Sequence, residues 1–351
     1  MLKPRQAVID MAPYSPPTGA REDKIRLDFN EHTVGCSPKV IEFLRDKLSG
    51  GRLTMYPEYA EAMRELAEFF GVSPDELALT NGTDEAIQVF VNTFVERGDD
   101  VVLLKPSYAM YRFYADLAGG KVREVEYRAE KDLTFPREEL LTAIKPETKA
   151  VMIANPNNPT GTGAELEDLR RVIESAPNTA VLIDEAYYEF SGKTVLGWIR
   201  RYPNLFVSRT FSKVYGMAAM RCGCIFSSAE NVKWMRKAQS PYSVNMLATL
   251  AARAAVRDRA HVDEWVAEVQ AAREMVCQGL KRLGISFYTS EANFVLFQAG
   301  DRAIPIRDAL RKRGVLVRDR SYEIPGCVRV TIGTREQMRT FLTELETLWT
   351  R

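Results

Sequence analysis

The chain reads as an α/β protein, a mostly parallel sheet flanked by helices, joined to a smaller α+β part. Three observations predict this. From Pro38 to Asn245, short apolar runs alternate with helical periodicities, the order that builds a parallel sheet through crossover helices. Most of those runs are apolar throughout, as expected of strands covered by helices on both faces. After Asn245 the pattern changes to a long helical stretch and then short strands. At 351 residues the chain exceeds the usual single domain. We therefore expect an arm over residues 1–30, a large domain over 31–250 and a small C-terminal domain over 251–351.

The arm is rich in proline, with Pro13-Tyr14-Ser15-Pro16-Pro17 and then an extended Ile25-Arg-Leu-Asp-Phe29. Tyr59 to Phe70 has helical spacing, and Glu76 to Thr80 a short strand pattern. Ile87, Phe90, Val91, Phe94 and Val95 fall on one helical face, with Gly98 as the stop. Strands are expected at Val101–Leu104, Val122–Tyr127, Ala150–Ala154, Ala180–Ile183, Leu205–Ser208 and Cys224–Ser227. Met246 to Gly284 is too long for one ordinary helix and should break near Arg257-Asp258. Short strands follow at Ser286–Tyr288, Asn293–Phe297, Val315–Arg318 and Val328–Ile332. A last helix opens on the capping box Thr334-x-x-Gln337 and should bury Met338, Phe341, Leu342 and Leu345.

Composition excludes several classes. Net charge is +1 from 48 basic and 47 acidic residues, with no block of one sign, so neither nucleic acid nor a membrane surface is an expected partner. The five cysteines are odd in number and scattered, which argues for packed thiols over a disulfide framework. Only two histidines exist, neither near Cys222-Gly-Cys224, so no metal is expected. No signal pattern or membrane-length apolar run is present, and a soluble cytoplasmic protein is expected.

The chemistry concentrates in Ser208-Arg-Thr-Phe-Ser-Lys213-Val-Tyr-Gly-Met-Ala-Ala-Met-Arg221. Lys213 follows an apolar strand, Thr210 and Ser212 offer hydroxyls, and Arg221 can grip a phosphate in bidentate fashion. A lysine amine beside a phosphate site suits pyridoxal phosphate, whose chemistry uses both. Gly82-Thr83-Asp84 stands between a strand and a helix, where free amides make an anion site, or where Thr83 or Asp84 simply caps. Tyr108 follows a strand end and is either a packed aromatic or a ligand-facing one. Asn155-Pro-Asn-Asn158-Pro-Thr-Gly161 is a tight turn, yet a turn alone does not require so particular a string. Val181-Leu-Ile-Asp184-Glu-Ala-Tyr187 ends a buried strand in an acid, as in a P-loop ATPase, and Gly192-Lys193-Thr194 is nearby. The first loop glycine is missing, however, with Tyr187 in its place, and the loop would follow the acid instead of preceding it. Arg318 and Arg329 lie in apolar strands and need an anion, structural or substrate-borne.

Taken together in this order, these motifs resemble the aspartate-aminotransferase superfamily of pyridoxal-phosphate enzymes (fold type I). Within it the chain is similar to histidinol-phosphate aminotransferases, as are Ser240-Pro-Tyr-Ser-Val-Asn245 and Glu291-Ala-Asn-Phe-Val295. The resemblance implies that Lys213 carries the cofactor and serves as general base, and that Asp184 pairs with the pyridine nitrogen. Asn158 and Tyr187 would meet the phenolic oxygen and Tyr108 would stack on the ring. Gly82, Thr83, Asp84, Thr210, Ser212 and Arg221 would surround the phosphate. Tyr56 would reach the neighbouring subunit's cofactor, implying a homodimer. Tyr14, Asn30, Arg318 and Arg329 would face the substrate, the arginines clamping its anionic group. The implied reaction is a transamination between an amine donor and a 2-oxo acid, L-histidinol phosphate and 2-oxoglutarate giving imidazole acetol phosphate and glutamate. Aromatic amino acids are the alternative donors, and decarboxylation of a phosphorylated amino acid is a remoter one. A cofactor-binding regulator is disfavoured, since about thirty residues before the first expected helix are too few for a helix-turn-helix domain. One departure stands out: Asn30-Glu31-His32-Thr33 replaces the subfamily's usual Asn-Glu-Asn-Pro.

Overall fold

A computed structural model describes residues 2–11, 19 and 21–350. The strands are β1 (Ile25–Leu27), β2 (Leu77–Thr80), β3 (Asp100–Lys105), β4 (Lys121–Glu126), β5 (Thr148–Ala154) and β6 (Ala180–Asp184). They continue with β7 (Leu205–Thr210), β8 (Gly223–Phe226), β9 (Phe294–Gln298), β10 (Val315–Asp319) and β11 (Cys327–Thr331). Seven of them form one sheet in the order β2-β8-β7-β6-β5-β3-β4. Only β8 runs against its neighbours there, so the sheet is mostly parallel as expected. Its central strands are apolar throughout because both faces are covered: Val181, Leu182, Ile183, Val207 and Phe206 are all buried.

The second sheet has the order β1-β10-β11-β9. Its edge strand β1 comes from the N-terminal arm and pairs in parallel with β10. Sequence gave no sign of that partner, since it lies hundreds of residues away. The long helical stretch does break, into helices Met246–Arg257 and Arg259–Arg282. The break frees the carboxylate of Asp258 to accept from Ser37 Oγ at 2.5 Å and Lys39 Nζ at 2.7 Å, at the start of helix Pro38–Lys47. The terminal helix Arg335–Trp349 has its full capping box and buries Met338, Phe341, Leu342 and Leu345.

Two local expectations change. Ser286–Tyr288 is not a strand but a single bridge, Phe287 to Phe297. The helix over Ile87 stops at Phe94, before Gly98, because Val95 turns extended and packs into the core. All five cysteines are free, and burial pushes the Cys222 thiol up to about 12, consistent with inert packed groups. Among the described residues no helix is long and apolar enough to cross a membrane, and no histidine, cysteine and carboxylate cluster could hold a metal.

Candidate active site

The carboxyl ends of β5, β6 and β7 open into a cavity of about 660 Å³, the place where open α/β sheets bind ligands. Its lining includes Thr83, Asp84, Tyr108, Asn158, Asp184, Tyr187, Thr210, Ser212, Lys213, Arg221, Arg318 and Arg329. Asn30 lines it as well. Thus residues spread across most of the chain converge on one space. Gly82 stands behind Thr83, and Tyr14 lies outside the described residues. Tyr56 does not line this cavity; it is 76% exposed and packs on Tyr242, ring centroids 4.5 Å apart.

Asp184 ends β6 and is buried. It accepts from Tyr111 Oη at 2.7 Å and Ser208 Oγ at 2.9 Å. Burial raises its pKa to about 6, against the two hydroxyls, which favour the anion. A desolvated carboxylate at the cavity floor is suited to a cationic ring nitrogen. Tyr111 and Ser208 escaped the sequence reading. Ser208 is legible afterwards as the β7 residue in register with Asp184.

The anion end is built around helix Gly82–Phe94. Its N-cap residue Asn81 makes no side-chain cap bond, and the Asp84 carboxylate turns away to Tyr108 Oη at 2.7 Å and Arg221 Nη2 at 3.1 Å. Ordinary capping by Thr83 or Asp84 is therefore not how this turn is used. The positive dipole end of the helix lies beside the Arg221 guanidinium, two features suited to one anion. Gly82 has φ +75°, a conformation other residues rarely adopt, and a Cβ there would stand 2.4 Å from Arg221 Nη2 and push the guanidinium aside. Thr210 Oγ1 accepts from the Ser212 amide at 3.0 Å and shapes the turn that leads to Lys213.

The Asn-Pro string divides its labour. Asn157 ties the turn to Ser107 Oγ, the Pro106 carbonyl and Thr160 Oγ1, while Asn158 faces the cavity. Gly192-Lys193-Thr194 serves structure: Lys193 pairs with Glu165 at 2.9 Å and Glu291 at 2.7 Å, and Thr194 donates to Glu185. The ATPase reading has no site here.

Across the cavity, Arg318 and Arg329 are directly paired across β10 and β11. Arg329 is buried and donates to Asn158 Oδ1 and the Asp28 carbonyl, 2.8 Å away. Among the described residues neither arginine has a carboxylate partner. Burial and the nearby Arg320 and Arg318 lower the Arg329 pKa to about 10. The acids Asp28 and Glu31 on the same wall are both held by Arg21, each at 2.7 Å.

The segment from Phe29 to Cys36 joins the two walls. The Phe29 carbonyl accepts from Lys213 Nζ at 3.1 Å, and Asn30 Nδ2 donates to Tyr187 Oη at 3.0 Å. Asn30 thus positions Tyr187, a role its substrate-side assignment had not included. Gly216, just past Lys213, touches the same segment; a Cβ there would lie 2.8 Å from the Gly35 carbonyl oxygen. The unusual His32 explains itself here. Its Nδ1 accepts from the amides of Val34 and Gly35 at 3.3 and 3.1 Å, as a short Asn side chain can, and its ring stacks on Trp265 at 3.8 Å.

A covered α/β sheet with a lysine, a helix N-terminus beside an arginine and a desolvated carboxylate around one cavity has the groups that a pyridoxal-phosphate enzyme needs. Residues 22–345 match the sequence profile of the family described as aminotransferase class I and II, and the chain belongs to that family. It is 37% identical to a histidinol-phosphate aminotransferase of Symbiobacterium thermophilum, over 99% of this chain and 98% of that one. A histidinol-phosphate aminotransferase of Thermococcus gammatolerans is also 37% identical, over 92% and 91% of the two chains. The fold matches the crystal structure of histidinol-phosphate aminotransferase from Sinorhizobium meliloti in complex with pyridoxal-5'-phosphate. That pair has a TM-score of 0.87 and 24% identity, covering 98% of this chain and 97% of that one.

Proposed function

We propose that the amine donor is L-histidinol phosphate and the acceptor 2-oxoglutarate, which places the enzyme in histidine biosynthesis. The observation that carries this reading is the pair Arg318 and Arg329: two guanidiniums at the substrate end, neither neutralised by a carboxylate among the described residues. A doubly charged phosphomonoester matches two cations, whereas one α-carboxylate is gripped by a single arginine. The names of the relatives support the same donor.

In this reading Thr83, Ser212, Arg221 and the amides after Gly82 hold the cofactor phosphate, and Tyr108 covers the ring. When bound, pyridoxal phosphate supplies an electron sink that lowers the cost of removing the substrate's α-proton. Asp184 holds a proton on the ring nitrogen through its carboxylate, and Tyr111 and Ser208 keep that carboxylate aimed. Lys213 Nζ would anchor the cofactor and, once released as a free amine, would take up the substrate's α-proton. Asn158 and Tyr187 would hold the ring's phenolic oxygen. Residues 31–250 form the cofactor domain and 251–351 the small domain, to which the 1–30 arm lends β1.

A homodimer is part of the proposal. Leu53, Met55, Tyr56 and Tyr242 are exposed, an apolar group that suits a partner subunit. Tyr56 would then complete the partner's phosphate site. A cytoplasmic location follows from the biosynthetic role.

The donor assignment is tested by comparing kcat/KM for L-histidinol phosphate, phenylalanine and threonine phosphate while monitoring CO2. Histidinol phosphate should lead phenylalanine by about tenfold or more, the value of one charge-assisted contact. Preference for phenylalanine, or CO2 release from threonine phosphate, would overturn it.

A further inference from the structure

Beyond Arg318 and Arg329, the substrate end holds a third arginine that neither the motifs nor the family resemblance points out. β10 ends at Asp319, and the chain returns to β11 through Arg320-Ser321-Tyr322-Glu323-Ile324-Pro325-Gly326. Arg320 stands two positions from Arg318, on the same side of extended chain, and lines the same cavity with Tyr322 and Glu323. It is only 9% exposed. Its Nη2 meets the Glu323 carboxylate, its Nη1 donates to Tyr322 Oη at 2.7 Å, and its Nε is buried without a partner. Arg329 Nε is likewise buried and unpartnered.

Like charges set directly opposite across two strands are unfavourable, and Arg318 faces Arg329 in that way. Adding Arg320 makes the corner more cationic. Glu323 is the one carboxylate, among the described residues, that pairs with any of the three. The arrangement therefore already contains an internal anion, placed where a ligand anion would go. Glu323 also borders a second cavity of about 210 Å³, whose lining includes Lys105 and Arg112. Those cations share Glu124, at 3.0 and 3.2 Å. Arg112 also pairs with Asp116 at 2.7 Å, so a carboxylate leaving Arg320 has space to turn into but meets cations that are already paired.

We propose that Arg320 and Glu323 form an anion latch at the substrate end: Glu323 holds Arg320 in the free site, and a phosphomonoester takes its place. This rests on the reading of a phosphorylated amine donor. Glu323 meets Arg320 through Nη2 alone, whereas a dianionic phosphate can take two parallel guanidinium bonds and brings a second charge, so phosphate can displace Glu323. An aromatic amino acid brings one singly charged α-carboxylate, which a single arginine of the pair satisfies without calling on Arg320. The latch therefore selects by charge, releasing a third guanidinium only to a ligand charged enough to claim it.

The test uses the holoenzyme and its Glu323→Gln, Arg320→Gln and Arg320→Lys variants. Inorganic phosphate is titrated against the absorbance of the bound cofactor, and kcat/KM is measured for L-histidinol phosphate and phenylalanine. Glu323→Gln should tighten phosphate by about three- to tenfold, since the competing anion is gone. Arg320→Gln should weaken phosphate and raise KM for histidinol phosphate by about tenfold, with phenylalanine within about twofold. Arg320→Lys should recover part of the loss. An unchanged phosphate affinity in Arg320→Gln would overturn the proposal, as would an equal loss for phenylalanine, which marks a structural role. Weaker phosphate binding in Glu323→Gln would make Glu323 a support for Arg320 and also overturn the latch. If the wild type refuses histidinol phosphate while the phosphate titrations behave as expected, the donor assignment falls and the latch stands.

Discussion

At the strand-end wall of the cavity, Asp184, Asp84 and Thr210 all have their polar atoms met by groups of the chain itself. At the opposite wall, Arg318 and Arg329 face the cavity with no carboxylate partner among the described residues, and the Nε of Arg329 is buried unpartnered. The difference is one of timing. A cofactor that stays bound is best served by groups already fixed in place, whereas a substrate that comes and goes can itself supply the missing charge. The first wall gains rigidity from its network; the second retains an electrostatic deficit that only an anion relieves.

The largest effect should come from the fixed wall. Lys213→Ala is expected to lower turnover by at least ~10³-fold and to lose the cofactor's absorbance band on dialysis. A mutant that keeps both band and turnover would remove the comparison's foundation. An intermediate effect is expected at the open wall. Arg329→Gln and Arg318→Gln should each raise KM for the phosphorylated donor by about 10- to 100-fold while leaving the cofactor in place, because each removes a charge-assisted contact. Loss of the cofactor from either variant would show that the walls are not separable. The last effect falls on stability and not on turnover, and concerns His32, which stitches the walls together. Burial, aided by His261, holds its pKa down at about 3, against 6.5 for a free imidazole. The folded protein therefore binds fewer protons than the unfolded chain between those values, and stability must fall as pH drops from 6.5 toward 3. At pH 5 the loss from this one group is about 2 kcal/mol. His32→Asn keeps an acceptor for the loop amides but does not titrate. Urea unfolding at pH 7.5 and 5 should show a smaller acid loss in the variant; equal losses would mean that His32 does not carry this penalty.

Much of the fixed wall was legible because its groups sit within motifs. Lys213 and Asn158 follow β7 and β5 within a few residues and Asp184 ends β6; a parallel sheet sends such strand ends to one edge, where antiparallel β8 also begins, just after Arg221. Tyr111 could not be found that way. It lies in the helix Ala109–Ala118 among other aromatics, and nothing in its neighbourhood marks it as the donor to Asp184. Arg320 was missed for a similar reason, since its meaning depends on Glu323 and on a corner shared with β11.

By itself the sequence determined what local chemistry determines. It set the period of most helices and strands, the break at Asp258, the capping box at Thr334 and the lysine-to-arginine motif from Lys213 to Arg221. Tertiary structure alone decided which distant groups meet: β1 against β10, His32 on Trp265, Phe29 on Lys213, and the surplus of positive charge opposite Asn158. The physical reason lies in range. Periodicity and capping act over a few residues and leave a trace in spacing. Burial and charge balance are sums over neighbours brought together from the whole chain, and no stretch of sequence contains them.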